Sequence, residues 1–303
     1  VPRLQGWRKA IPESRDRLQS RVLVWLVGLP MAAASATFLV LALFLGVRFS
    51  SFVLQAGSIA LTFGVVVWAL RAATPTAAAL GASICLPLIL DTSSLNRSPA
   101  LYSGLTPLFL LFLLTFAAGR VGRRQKARAV RTVLVDPEEA REARRGRSAA
   151  QILANLGTAG VIAFADLGLS ATHDTWRAML LAALAEATAD TLSSELGSAF
   201  GGAPFLLTTL RRVEAGTDGA ISLFGTFSGV AGATLVVCAG WWALRLSLHG
   251  AEVALIGGLA GLFFESLLGA TVERRGWLGN DWVNFLSTVF ASLVAFACLA
   301  VGS

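Results

Sequence analysis

The chain has 303 residues, of which 55% are hydrophobic and only 14% charged, and its mean hydropathy is +0.69. Soluble domains carry about 25% charged residues, so that class is excluded and a polytopic, all-α membrane protein is left. The net charge of +7 does not point to nucleic acid, because the basic residues sit in blocks between apolar runs rather than along a stripe.

Residues 1–21 carry six Lys/Arg and read as a basic, amphipathic lead-in lying on the membrane surface. Nine apolar runs follow, at about 22–47, 52–70, 76–90, 105–119, 149–169, 176–194, 220–244, 252–272 and 282–301. Each approaches the roughly 20 residues that cross about 30 Å of hydrocarbon. The first run is too long for the core of a signal peptide, which spans about 7–15 residues. Residues 120–148 form the longest polar segment, with ten Lys/Arg and four acids. This basic loop divides a four-span region, 22–119, from a five-span region, 149–303, which is expected to be catalytic.

With the N-terminus in the cytoplasm, nine crossings put twenty-one Lys/Arg in the inner segments and four in the outer ones. The positive-inside rule accounts for that asymmetry and leaves the C-terminus outside. Two lysines against twenty-three arginines, with abundant alanine, suggest a GC-rich bacterial gene and hence a bacterial plasma membrane. Cys85, Cys238 and Cys298 lie far apart in apolar runs and read as small buried hydrophobes.

Carboxylates inside membrane helices are costly and functional by default. Glu186 and Asp190, four residues apart, share one face of span six, and Glu195 follows at its end. The loop after it offers Gly201, Gly202, Arg211, Arg212, Gly216, Thr217 and Asp218, and Ser222 begins the next span. Glycines let backbone N–H groups approach a phosphate, and arginines clamp its oxygens. No GxxxxGK[ST] string is present, so this is not a P-loop. Gly257, Gly261, Glu265 and Gly269 recur every four residues, a helix-packing stripe that carries an acid. Asp281 and Asn284 open span nine, Asn155 and Arg147 flank the start of span five, and His173 and His249 fall on the opposite side. Glu186, Asp190, Asp218, Glu265 and Asp281 are the candidate Mg²⁺ ligands, since hard cations take carboxylate oxygens. Arg147, Arg211 and Arg212 are the candidate phosphate clamps.

The strings LAEATADTLSSELG, GTDGAISLFGTFSG, LFFESLLGA and NDWVNFLSTV, in that order, resemble the integral-membrane family that includes plant phytyl-phosphate kinase of vitamin E synthesis and eukaryotic transmembrane protein nineteen. The resemblance covers about residues 147–302. It implies a prenyl-phosphate kinase that moves a phosphoryl group from a nucleoside triphosphate, CTP, to phytyl or polyprenyl phosphate with Mg²⁺. A more distant similarity runs to CTP-dependent prenol kinases and phosphatidate cytidylyltransferases, whose GDLFES-like block reads GLFFES here, with Leu262 in place of the aspartate. A cytidylyltransferase making a CDP-lipid is therefore the second reading. A cation-coupled transporter is the third; it requires acids reaching the outer face, and the outer halves of spans five to nine read as lacking them. The oligomeric state is left open.

Overall fold

The computed structural model describes residues 11–44, 47–90, 101–129, 146–168, 173–214 and 216–302. The first ten residues of the lead-in and residues 130–145 of the basic loop lie outside the described residues. The elements are α1 (Glu13–Leu23), a π turn (Val24–Gly28), α2 (Leu29–Ala42), α3 (Val47–Ala69), α4 (Pro75–Leu90), α5 (Leu105–Ala129), α6 (Ala149–Gly168), α7 (His173–Phe200), β1 (Phe205–Leu206), β2 (Ala220–Ile221), α8 (Leu223–Leu244), α9 (Leu248–Leu268), a second π turn (Gly269–Glu273) and α10 (Asn280–Gly302).

The all-α membrane architecture stands. Among the described residues, seven helical stretches are long and apolar enough to cross a membrane. Two of the nine expected spans fall outside that set for physical reasons. Helix α4 has only 16 residues, and α7, with 28, is diluted by its acids. The expected lead-in is not separate from the first span: α1 runs through the π turn into α2. That wider turn immediately precedes Pro30, which has no N–H to give to a regular ladder. Helix α5 likewise continues to Ala129, so the first ten residues of the expected basic loop are helical.

Helix α7 is the axis of the bundle. It packs against α5, α6, α8, α9 and α10, and every residue from Leu180 to Ala189 is buried. A helix covered on all sides needs small or apolar residues all round, which LLAALAEATA supplies apart from one acid and one threonine. The glycine stripes on its partners set the spacing. A Cβ at Gly229 on α8 would lie 2.7 Å from the Ala189 carbonyl oxygen, and one at Gly258 on α9 would lie 2.7 Å from Ala185 Cβ. At Gly261 it would lie 2.6 Å from Glu186 Cγ and 3.0 Å from the Ser287 carbonyl oxygen. Gly261→Ala is therefore expected to wedge α9 away from α7 and α10 and to cost about 1–3 kcal/mol, read as a fall in the midpoint of thermal unfolding in detergent.

The ends of the helices sort into two groups. At one end, Gln19 of α1 accepts from Gly279 N (2.8 Å) and donates to the Trp277 carbonyl (2.8 Å), and its own carbonyl accepts from Trp282 Nε1 (2.9 Å). Residues 72–74 after α3 pair with Arg147 before α6: Arg147 N donates to Ala72 O (2.9 Å) and Thr74 N to Arg147 O (3.0 Å). At the other end, the Tyr102 ring lies tilted 5.1 Å from Trp242 and beneath Arg245, and Asp174 accepts from Ser247 N at 3.3 Å. The segments expected on one side of the membrane thus meet one another, and so do those expected on the other.

Candidate functional site

Helix α7 carries Glu186, Asp190 and Glu195 between its middle and its C-terminal end. The break after Phe200 is made by a short excursion, residues 201–219, closed by the antiparallel pair Phe205↔Ile221 and Leu206↔Ala220. Gly219 ends it with φ +72, tight against the Ser266 carbonyl and Ala270 of the second π turn, where no Cβ fits. The chain then enters α8, capped by the Ser222 hydroxyl, which accepts from Gly225 N at 3.1 Å. Helix N-termini are anion sites because their first N–H groups lack partners and the helix dipole is positive there. Ser222, Gly225 and Thr226 all line the cavity described next.

That cavity has a volume of about 870 Å³. Its polar wall is built from Asp190, Thr191, Ser194, Glu195 and Ser198 of α7, Thr217 and Asp218 of the excursion, Glu265 of α9, Glu273 of the π turn, and Asn280 and Asn284 of α10. Asn155 of α6, whose amide donates to the Gln151 carbonyl at 2.8 Å, also lines it. Asp190 lies within the electrostatic reach of Arg147 and Glu195, and Glu265 within that of Asp190, Glu186 and Glu273. An apolar part of the lining comes from α3, α4, α5 and α6: Phe63, Val67, Ala78, Leu108, Phe112 and Ile152 among others.

Of the residues singled out from sequence, Asp190, Glu195, Glu265, Asp218, Asn155, Asn284, Arg147, Gly216, Thr217 and Ser222 line this one cavity. Six do not. Glu186 is 1% exposed and sits behind the wall, where the Ser287 hydroxyl donates to its Oε1 at 2.5 Å. Asp281 faces α1 and accepts from the Ser20 hydroxyl at 2.6 Å. Arg211 and Arg212 are exposed on the outside of the excursion, where Arg212 lies 5.5 Å above the Phe205 ring. Gly201 packs on Ser222, and Gly202 is an exposed turn glycine with φ +67.

Among the described residues, two further arginines line the cavity: Arg71, at the end of α3, and Arg120, which lies 4.3 Å above the Phe116 ring on α5. The pairing of residues 72–74 with Arg147 brings Arg71 and Arg147 to the same rim. Gly146, with φ +78, permits it, since its Cβ would meet the Arg71 carbonyl at 2.8 Å. Sequence reading counted Arg71 and Arg120 only toward membrane orientation, because no motif joins them to α7. Nor is the site confined to 149–303, since α4 packs on α6 and α5 packs on α7.

Two acids correct the reading of the outer end, and the first, Glu252, opens the run 252–272 with its Oε2 3.9 Å from His249 Nδ1. The second, Asp166, near the end of α6, is 4% exposed, and its Oδ1 is 2.9 Å from His173 Nδ1. The buried apolar stretch Leu180–Ala185 of α7 intervenes between that end and Glu186.

Among the described residues, no three Asp, Glu, His or Cys side chains converge tightly enough to cage a metal unaided. Magnesium does not need such a cage, because it commonly takes one or two carboxylates plus phosphate oxygens and water. The donor set fits that use. Asp190 and Glu265 face the cavity, and Asn284 Oδ1 there is buried without a hydrogen-bond partner.

Residues 58–292 match the model of a family described as integral membrane protein DUF92. The chain belongs to the DUF92 family. The matched stretch holds every residue that lines the cavity, from Phe63 to Asn284, including the apolar wall that precedes the region of resemblance read from sequence. Within the DUF92 relatives, the chain is 38% identical over 152 residues to an uncharacterized membrane protein of Methanocaldococcus jannaschii, covering 49% of this chain and 60% of that protein. It is 31% identical over 144 residues to an uncharacterized membrane protein of a Synechocystis strain, covering 46% and 56%. It is 30% identical over 158 residues to the chloroplastic protein VTE6 of Arabidopsis thaliana, covering 50% and 47%. The chain thus spans about half the length of the curated relatives it matches. No solved structure matches it.

Proposed function

We propose that this protein is a membrane-embedded prenyl-phosphate kinase, which transfers the terminal phosphoryl group of a nucleoside triphosphate, CTP, to phytyl or another prenyl monophosphate. The observation that carries this reading is one cavity lined by carboxylates, by three arginines, by a helix N-terminus and by an apolar surface from α3 to α6. The similarity to the chloroplastic plant protein VTE6 agrees with the resemblance of the sequence to the family of plant phytyl-phosphate kinase. The side facing the nucleotide would be the cytoplasm of a bacterial cell, as the arginine distribution suggests.

Phosphoryl transfer needs positioning and charge neutralisation more than covalent help. Arg71, Arg120 and Arg147 would hold phosphate oxygens, joined by the N–H groups at the start of α8. Asp190, Glu265 and Asn284 would hold Mg²⁺, which when bound offsets the charge of the phosphates. The acceptor phosphate oxygen forms a bond to the terminal phosphorus as the bond to the leaving nucleoside diphosphate breaks. Glu186, held by Ser287 behind Asp190, would fix the shape of the wall and add negative charge near Glu265.

The cytidylyltransferase reading has the same parts but a different bond broken. Leu262, which lines the cavity where that class has an aspartate, counts against it. The position of a radiolabel in the nucleotide tells them apart. With the intact protein, prenyl phosphate and CTP, label from the terminal phosphate is expected in the lipid fraction and label from the inner phosphate is not. The reverse pattern, with pyrophosphate released, would overturn the kinase assignment.

A further inference from the structure

The apolar wall has its own geometry. Phe63 of α3 meets Phe112 of α5 edge-on, with centroids 5.5 Å apart at 78°, and Phe112 stacks on Phe116 at 5.4 Å. With Val67, Leu108, Leu111 and Ile152, these rings make a continuous hydrocarbon surface that leads away from the arginines at the ends of α3 and α5. Two of the glycines lining this wall, Gly64 and Gly81, differ in what surrounds them. Gly64 is a packing glycine, since a Cβ there would lie 3.0 Å from the Ala78 carbonyl oxygen and 3.1 Å from Ala82 Cβ. Gly81 of α4 is not: the nearest atom to its Cβ position is Ile152 Cγ2, at 3.9 Å. Gly81 lines the cavity, so a side chain there would start from open space beside Ile152.

We infer that α3, α4 and α5 form the receptor for the prenyl chain of the substrate, and that Gly81 sets how long a chain it admits. This rests on the prenyl-phosphate kinase reading for the identity of the ligand. It gives the N-terminal helices a role in specificity: the phosphate is held at the rim by Arg71, Arg120 and Arg147, and the chain runs along the Phe63–Phe112 surface past Gly81. Burial of hydrocarbon grows more favourable with each methylene added, so the wall would favour long prenyl chains over short ones. Filling the wall at residue 81 would cap that preference without touching the polar wall.

The test uses the full-length protein in nanodiscs, with Gly81→Phe and the smaller Gly81→Leu, and two readouts. Turnover is measured with C10 and C20 prenyl monophosphates, and direct binding with tritiated C20 prenyl monophosphate. The expected result is a loss of about tenfold or more in kcat/KM for the C20 substrate, with C10 turnover little changed and the loss graded from Leu to Phe. Binding of the C20 ligand should weaken in parallel. Equal losses for both lengths, or an unchanged length profile and C20 affinity in a monodisperse variant, would overturn the inference. Should the wild-type protein turn over neither substrate, the kinase reading fails. The binding arm then decides the inference by itself: C20 affinity lost on Gly81→Phe upholds the chain site, and unchanged or absent binding rejects it.

Discussion

Asp190→Asn is expected to lower kcat for phosphoryl transfer by roughly 10²- to 10³-fold, the range seen when one preorganised electrostatic group is removed from a site. Asp190 and Glu195 are the acids of α7 that line the cavity, and Asp190 lies in the fields of Arg147, Glu195 and Glu265. Asparagine keeps its shape and removes its charge, so positioning survives while cation binding and the orientation of Arg147 suffer. Because Glu195 and Glu265 repel that charge, its removal is expected to leave the thermal midpoint unchanged or slightly raised. Activity and stability then move in different directions, as at other strained functional sites. A variant that keeps full turnover would remove Asp190 from the site. A variant that unfolds would give it a structural role, as the partner of Arg147. Glu186→Gln should behave differently, because Glu186 does not line the cavity and accepts the Ser287 hydroxyl. Its main effect is expected on stability.

Arg147→Ala is expected to weaken nucleotide or acceptor use strongly, with KM rising by roughly tenfold or more, since a charge-assisted hydrogen bond contributes about 1.5–3 kcal/mol. Arg211→Ala and Arg212→Ala should change KM by less than about twofold, because both side chains point away from the cavity and exposed charges contribute little. The contrast is informative because the sequence ranks these residues together, and only the pairing of Arg147 with Ala72 and Thr74 distinguishes them. Steady-state kinetics over the three variants, at fixed ionic strength, measures the contrast directly. Equal effects from Arg147 and Arg211 would contradict the placement of the phosphate clamp.

Much of the bundle was legible in the sequence because lipid imposes a simple rule: backbone polar groups must be satisfied within each span. Apolar run length therefore gave the helices, and the run 149–169 lies within one or two residues of α6. Helix α7 was legible for the opposite reason, since two acids in an apolar helix require an explanation. The site was legible where chemistry and position coincided, as at Asp190, Glu265, Ser222 and Asn284. It was not legible where the fold joins distant segments. Arg71 and Arg120 looked like orientation signals because nothing local marks them, and Asp281 looked like a ligand because only the docking of α1 gives it Ser20. Arg211 and Arg212 were chosen for their glycine-rich surroundings, yet the small β pair turns them outward. The acid at 166 was passed over because it stands alone in an apolar run, and its partner His173 lies across a helix boundary.

One measurement bears most directly on the central claim that a single cavity joins phosphate chemistry to a prenyl chain. The intact protein, purified in detergent, is supplied with phytyl phosphate, CTP and Mg²⁺, and all products are resolved by mass. Phytyl diphosphate and CDP in equal amounts are the expected products. Failure to form prenyl diphosphate with any nucleotide or prenyl length, by protein that is folded and monodisperse, would contradict that claim.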